Sequence, residues 1–178
     1  MATYYSELYA GSATPSVLDT QLRAGAGVGH ARQRYAKAVC APGAVVAVGE
    51  QVRIKQFKSS DRLNYIYFSC TDAGTTGLVD IGLYKTGSSH DGAEVDADLF
   101  SSAYDVKASA RTQIAVWSEA GTLDQFDRGK TLWELATAGA ASYTTDPMED
   151  WDFCVTPTEV NQDTAWTLMV EFYYTSGD

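Results

Sequence analysis

From about residue 50 onward, large apolar side chains recur at every second position, and this pattern constrains the chain more than anything else in it. Side chains of a strand point alternately to its two faces, whereas a helix repeats every 3.6 residues. In Gln51–Phe57, Val52 and Ile54 alternate with Arg53 and Lys55, which predicts a strand with one wet face. Arg62–Cys70 is apolar on both faces, which predicts a central strand. Gly77–Tyr84 sets Val79, Ile81 and Leu83 against Asp80 and Gly82. Thr112–Trp117 is short and rich in strand formers. Asp150–Thr156 places Trp151, Phe153 and Val155 inward and Asp150, Asp152 and Cys154 outward. Ala165–Tyr174 alternates most cleanly, with Trp166, Leu168, Val170, Phe172 and Tyr174 on one side and Ala165, Thr167, Met169, Glu171 and Tyr173 on the other.

Clusters of Gly, Ser, Asn and Asp separate these runs, as at Lys58–Asp61, Thr71–Gly77, Thr86–Gly92 and Pro157–Asp163. Several strands joined by turn-rich loops predict an all-β fold, an antiparallel sandwich or barrel. Two short helices are expected to interrupt it. One is near Ala97–Tyr104. The other is Thr131–Thr137, where Thr131 and Glu134 match a capping box and Gly139 follows as a stop. Leu132, Trp133 and Leu135 of that second helix would plug one end of the sandwich.

Residues 1–43 differ from this body, expected at 44–178. They are rich in Ala, Gly, Ser and Thr, and AGAGVGH at 24–30 suits neither strand nor helix. The reading is an extended N-terminal arm, ordered by what it lies against, with a weak amphipathic turn or strand around Arg32–Val39. Charge divides in the same way. The chain of 178 residues carries 13 Lys/Arg and 23 Asp/Glu, a net −10, yet residues 1–60 hold seven of the basic residues and three of the acidic ones. An acidic body argues against nucleic acid as a partner, because phosphate binding needs a dominant basic surface. A basic arm on an acidic body suits an acidic protein neighbour, including another copy of the chain. No stretch approaches the roughly 20 apolar residues of a membrane span, so no membrane partner is expected. The start, MATYYSELYAGSATPS, lacks the basic and apolar regions of a signal peptide, so the mature chain is expected to begin near Met1 and to fold in a cytoplasm.

Catalytic chemistry is hard to find. Cys40, Cys70 and Cys154 lie far apart with no CxxC pair, and are expected as free, buried thiols. Ser88 or Ser89, His90 and Asp91 could be imagined as a relay, but sequence neighbours rarely reach that geometry and no GxSxG elbow is present. His90 is expected in solvent. Asp91, Glu94, Asp96 and Asp98 do not match the calcium-loop spacing, and are expected to form a turn and to cap the helix before Leu99 and Phe100. Asp146, Glu149, Asp150 and Asp152 are expected to solvate one wet strand face rather than to act as a glycosidase pair. No phosphate-cradling glycine loop is present. No enzyme activity, cofactor or metal is therefore expected.

Four segments together carry a resemblance: GLVDIGLYKTG, GAEVDADLFSSAYDV, DRGKTLWELA and TAWTLMVEFYYTSGD. Over about residues 50–178 the chain resembles the capsid decoration, or cement, proteins of tailed bacteriophages. The most recognisable signatures are Asp80–Tyr84, Val95–Phe100 and Leu132–Leu135. That resemblance implies a β-sandwich or jelly-roll body on the outer surface of a virion assembled in the host cytoplasm. Its implied partners are the major capsid protein and further copies of itself, as a dimer or trimer. The family's motifs are structural, so no active-site residues carry over. The side chains expected to bear on the partner are those of the arm: Tyr4, Tyr5, Tyr9, Arg23, Arg32, Arg34 and Tyr35. Other virion roles (head fibre base, adaptor or tail protein) and a carbohydrate-binding β-sandwich built on Trp117, Trp133, Trp151 and Trp166 remain as alternatives.

Overall fold

A computed structural model of the chain describes residues 3–5, 33–42, 45–71, 77–106, 111–115, 123, 127–138, 141–159 and 166–177. The elements are β1 (Thr3–Tyr5), β2 (Gln33–Cys40), β3 (Gln51–Lys58), β4 (Arg62–Cys70), β5 (Leu78–Lys85), β6 (Glu94–Asp105), β7 (Arg111–Ala115), α1 (Leu132–Ala138), β8 (Asp150–Pro157) and β9 (Leu168–Thr175). The first sheet has the order β1-β3-β8-β5-β6 and the second β2-β9-β4-β7. Every pairing is antiparallel except β1 with β3, where Tyr4 lies opposite Val52.

The two sheets face each other through the side chains that the period-two pattern points inward. Phe57 of β3 meets Phe172 and Tyr174 of β9, with ring centroids 5.1 and 5.3 Å apart. Phe153 of β8 lies 4.9 Å from Phe172 and 5.3 Å from Phe100. Phe68 of β4 reaches Tyr104 of β6 at 5.5 Å. These edge-to-face and offset contacts join both layers into one apolar core. Cys40, Cys70 and Cys154 are free and buried. Burial alone pushes the Cys40 thiol up to about 12, so it packs as a small apolar group.

The second expected helix is present. Glu134 accepts from the Thr131 backbone N–H at 2.8 Å and from its hydroxyl at 2.7 Å, which closes the capping box. Leu132 and Leu135 are buried and Trp133 packs on the core. The backbone N–H groups of Leu132 and Trp133 donate to the carbonyls of Asp61 and Ser59, fixing the helix to the β3–β4 turn. Asp61 also accepts from the Lys58 and Gly177 N–H groups, so the same turn ties down the C-terminal segment.

The expected helix at Ala97–Tyr104 is instead part of β6, the longest strand. Its twelve residues run beside Leu78–Tyr84, and register shifts interrupt the pairing between Val79 and Ile81, Ile81 and Leu83, and Leu83 and Tyr84. Each extra residue resets the alternation. The inward groups Val95, Leu99, Phe100 and Tyr104 thus fall at spacings that imitate a helical face. With no helix to cap, Asp96 is a buried strand residue opposite Leu83. Gly82 allows the close approach of these two strands. A Cβ there would meet the Asp96 carbonyl oxygen at 2.1 Å, so the resemblance signatures around residues 80–84 and 95–100 are two halves of one contact.

Residues 33–40 of the basic leader form a full strand of the second sheet, with Ala36, Ala38 and Cys40 in the core. Small residues suit that position because β2 covers the sandwich at its edge.

Candidate interaction surface

Two groups of polar and aromatic side chains stand out, one sealed and one open. The sealed one lies where the alternation predicts solvent. Asp152 and Cys154 belong to the outward set of β8, yet both are fully buried because β8 is flanked by β3 and β5 and its outer face is covered by the turn at 86–93. Asp152 Oδ2 accepts from Arg53 Nη1 at 2.7 Å and contacts His90 Nδ1 at 2.9 Å, while Oδ1 accepts from the Thr86 hydroxyl at 3.0 Å. Arg53 continues to the carbonyls of Lys85 and Gly92, at 3.1 and 3.2 Å, and to Gln51 at 2.6 Å.

Three expectations change here. Arg53 is not on a wet face. His90 is 5% exposed rather than in solvent, and its partner is Asp152, not the adjacent Asp91. Lys55 is also buried: a bulge between Arg53 and Lys55 turns its ammonium toward the rings of Phe57 and Tyr174, at 4.7 and 5.1 Å. Of the acidic group at 146–152, Asp150 alone is exposed as expected. Asp146 accepts from Ser59 and the Met148 N–H, and Glu149 pairs with Lys85 at 2.9 Å, which lowers the Glu149 carboxyl below its ordinary range. A fully buried acid held by a guanidinium, an imidazole and a hydroxyl fastens a turn to a sheet. Among the described residues no three His, Cys, Asp or Glu side chains gather as metal ligands.

The open group covers the outer face of the second sheet. Antiparallel partners directly opposite one another share a face, and β2, β9 and β4 place three rows there. Tyr35, Tyr173 and Tyr65 form the first, Lys37, Glu171 and Tyr67 the second, and Val39, Met169 and Ser69 the third. Tyr173 is the hub, with centroids 5.1 Å from Tyr35, 6.4 Å from Tyr65 and 6.2 Å from Tyr67. Tyr35 is 48% and Tyr65 40% exposed, and the Arg128 guanidinium lies over the Tyr65 ring at 5.0 Å. The strand expected to be central, β4, is central in its pairing but keeps this tyrosine face open.

Beneath the rings, the Tyr35 hydroxyl donates to Glu171 at 2.6 Å. That bond, followed by burial and the carboxylate's charge, raises the Tyr35 phenol to about 12. Because the folded value is the higher, this contribution is complete below the ordinary phenol range and disappears as pH rises through about 12. The Glu171→Gln variant should therefore ionise one tyrosine at lower pH than the parent, read by ultraviolet absorbance titration. Superimposable curves would remove the pairing.

Of the seven partner residues expected in the leader, Tyr35 is on this face. Arg34 is half-buried on the other side of β2, beside Tyr174. Tyr4 and Tyr5 lie on β1 in register with Val52 and Arg53. Tyr9, Arg23 and Arg32 lie outside the described residues. Sequence reasoning misses Tyr65, Tyr67 and Tyr173, although the outward set Met169, Glu171, Tyr173 is too apolar for a face left wholly to water. Trp151 and Trp166 are buried, so they supply no sugar platform; Trp117 lies outside the described residues.

No protein-family model and no curated protein sequence matches the chain. Among solved structures, a chain of the "Capsid of Ralstonia phage GP4" is similar over 99% of both chains, with a TM-score of 0.61 and 12% identity. A chain of the "Cyanophage Pam1 capsid asymmetric unit" aligns with 91% of this chain and 99% of its own, with a TM-score of 0.47 and 12% identity. At that identity, what the chain shares with the Ralstonia phage GP4 capsid chain is its fold, from end to end.

Proposed function

We propose that the protein is a structural component of a bacteriophage virion, a capsid decoration or cement protein that binds the shell of the major capsid protein and stabilises it without catalysis. The observation that carries this reading is the end-to-end likeness to a chain of a phage capsid. The strand order supports it. Apart from β1, the sheets run β3-β8-β5-β6 and β2-β9-β4-β7, an order that supports reading the body as a jelly roll of two Greek keys, an architecture that viral capsids use repeatedly. Fold alone does not fix function, so the surface matters. Tyr and Arg are enriched where protein interfaces concentrate their binding energy, and the tyrosine face offers four such rings on a sheet, with Arg128 of a neighbouring turn over one of them.

In this reading the basic leader adds area to the contact. A leader pays an ordering cost on docking, which a pre-assembled shell lowers by holding the site in place. Copies on one shell, as dimers or trimers of the chain, add avidity. The protein added to capsids stripped of it should co-sediment with them and raise their resistance to heat and low salt; failure to do either rejects the proposal. Deleting residues 1–30 should leave the β body folded by circular dichroism while weakening co-sedimentation about tenfold or more, the worth of one or two interface side chains. Unchanged binding would reject the leader's part.

A further inference from the structure

Beside Tyr65, at the rim of the second sheet, lies a shallow cleft of about 340 Å³ lined by Gln33, Asn64, Tyr65, Arg128, Gly129 and Thr175. We propose that it binds a carboxylated sugar residue, such as a uronic acid within an acidic polysaccharide. The proposal rests on this cleft and does not require the virion reading, although Tyr65 and Arg128 belong to the open tyrosine face as well.

Arg128 supplies the carboxylate-recognising group. Among the described residues no acid lines the cleft, and the neighbour they give Arg128 is the Tyr65 ring. The adjacent Asp127 bonds Lys130 at 2.6 Å. A guanidinium presents a planar fork of donors that matches a carboxylate through two parallel bonds. The turn that carries it is fixed in advance. The Lys130 N–H donates to the Asp127 carbonyl, Arg62 donates to the Gly129 carbonyl at 2.6 Å, and Gly129 takes a φ of +83° that favours glycine.

The rest of the lining selects hydroxyl groups. Gln33 and Asn64 carry amides, and Thr175 and Tyr65 carry hydroxyls; each can both donate and accept, as a sugar hydroxyl does. Asn64 Nδ2 donates to the Thr175 hydroxyl at 3.2 Å, which orients that amide. The Tyr65 ring holds the Arg128 guanidinium over its face, at 5.0 Å, beside these polar groups. An acidic peptide side chain would use the arginine and leave these groups unmatched. The volume falls at the lower end of small-ligand sites, roughly 300–1,000 Å³, which suits one or two sugar residues.

The test is a titration of the full chain, followed by ¹H–¹⁵N NMR and calorimetry. Its probes are digalacturonate, the neutral sugar glucose, glutarate as a carboxylate without hydroxyls, and a glutamate-rich peptide. Digalacturonate should bind with a Kd of about 1 mM, a weak affinity that fits a shallow site. It should shift the amides of residues 33, 64, 65, 128 and 129. Glucose should bind about tenfold more weakly or worse for want of one charge-assisted contact, and glutarate and the peptide about tenfold more weakly or worse for want of the hydroxyl contacts. Arg128→Gln, an exposed turn position, should lower digalacturonate binding to the level of glucose while the rest of the spectrum stays in place. An absence of shifts in the cleft, equal binding of glutarate or the peptide, or full binding by Arg128→Gln would each overturn the proposal.

Discussion

Asp152→Ala should lower the melting temperature by roughly 10 °C, because removing one partner of a buried ion pair costs about 3–5 kcal/mol and each kcal/mol moves a chain of this size by about 2–4 °C. The substitution strands the Arg53 guanidinium, 1% exposed, opposite an apolar methyl. It also removes the acceptor for Thr86 and the partner of His90, so the turn at 86–93 loses its anchor to β8. The cost belongs to the unpaired charge more than to the missing attraction. A double replacement, Arg53→Met with Asp152→Leu, should therefore recover most of the loss, since apolar residues of similar volume often match a buried pair. Calorimetry of the parent, the single and the double variant checks both statements. A shift below about 2 °C for Asp152→Ala, or a double variant as unstable as the single one, would show that the network does not hold the turn.

The second large effect concerns binding. On the proposed function, Tyr173→Ala should weaken association with the shell by about 30-fold or more, since residues that anchor interfaces cost 2 kcal/mol or more when truncated. Tyr173 is chosen because three neighbouring tyrosines lean on it, so its removal lowers the whole cluster. Its side chain belongs to the outward set of β9, and the core of Leu168, Val170 and Phe172 is untouched. The variant should melt within a few degrees of the parent. Tyr173→Phe keeps the ring and should keep most of the affinity. Co-sedimentation titrations over a range of protein concentration measure all three. A well-folded Tyr173→Ala that binds like the parent would place the docking surface elsewhere.

Where sequence is a faithful guide, a local rule and the tertiary structure agree. Leu168, Val170, Phe172 and Tyr174 of β9 are inward because a regular strand cannot place them otherwise. Thr131 and Glu134 cap α1 because their pairing closes within four residues. The failures share another cause. Alternation says that Asp152 and Phe153 point to opposite faces, but not that a turn some 60 residues earlier in the chain covers the face of Asp152. Arg53 and His90 escape notice for the same reason: their partners come from β8, far away in sequence. Bulges defeat the pattern more directly in β6, where inserted residues shift its phase until a strand imitates a helix. The tyrosine face is half legible. Tyr35 stands out for its place in the basic leader, whereas Tyr65, Tyr67 and Tyr173 need the register of β2, β9 and β4 to bring them beside it.

The parallel strand β1 also has a bearing on how the leader can be studied. Thr3–Tyr5 occupy the outer border of β3 opposite Gln51–Arg53, so cutting the leader away unmasks a row of backbone donors and acceptors along that border. Exposed rows of this kind recruit extended segments from other molecules. A shortened chain thus trades an intramolecular strand for an adhesive rim, and its mass in solution has to be measured before weaker sedimentation is credited to a smaller footprint on the particle.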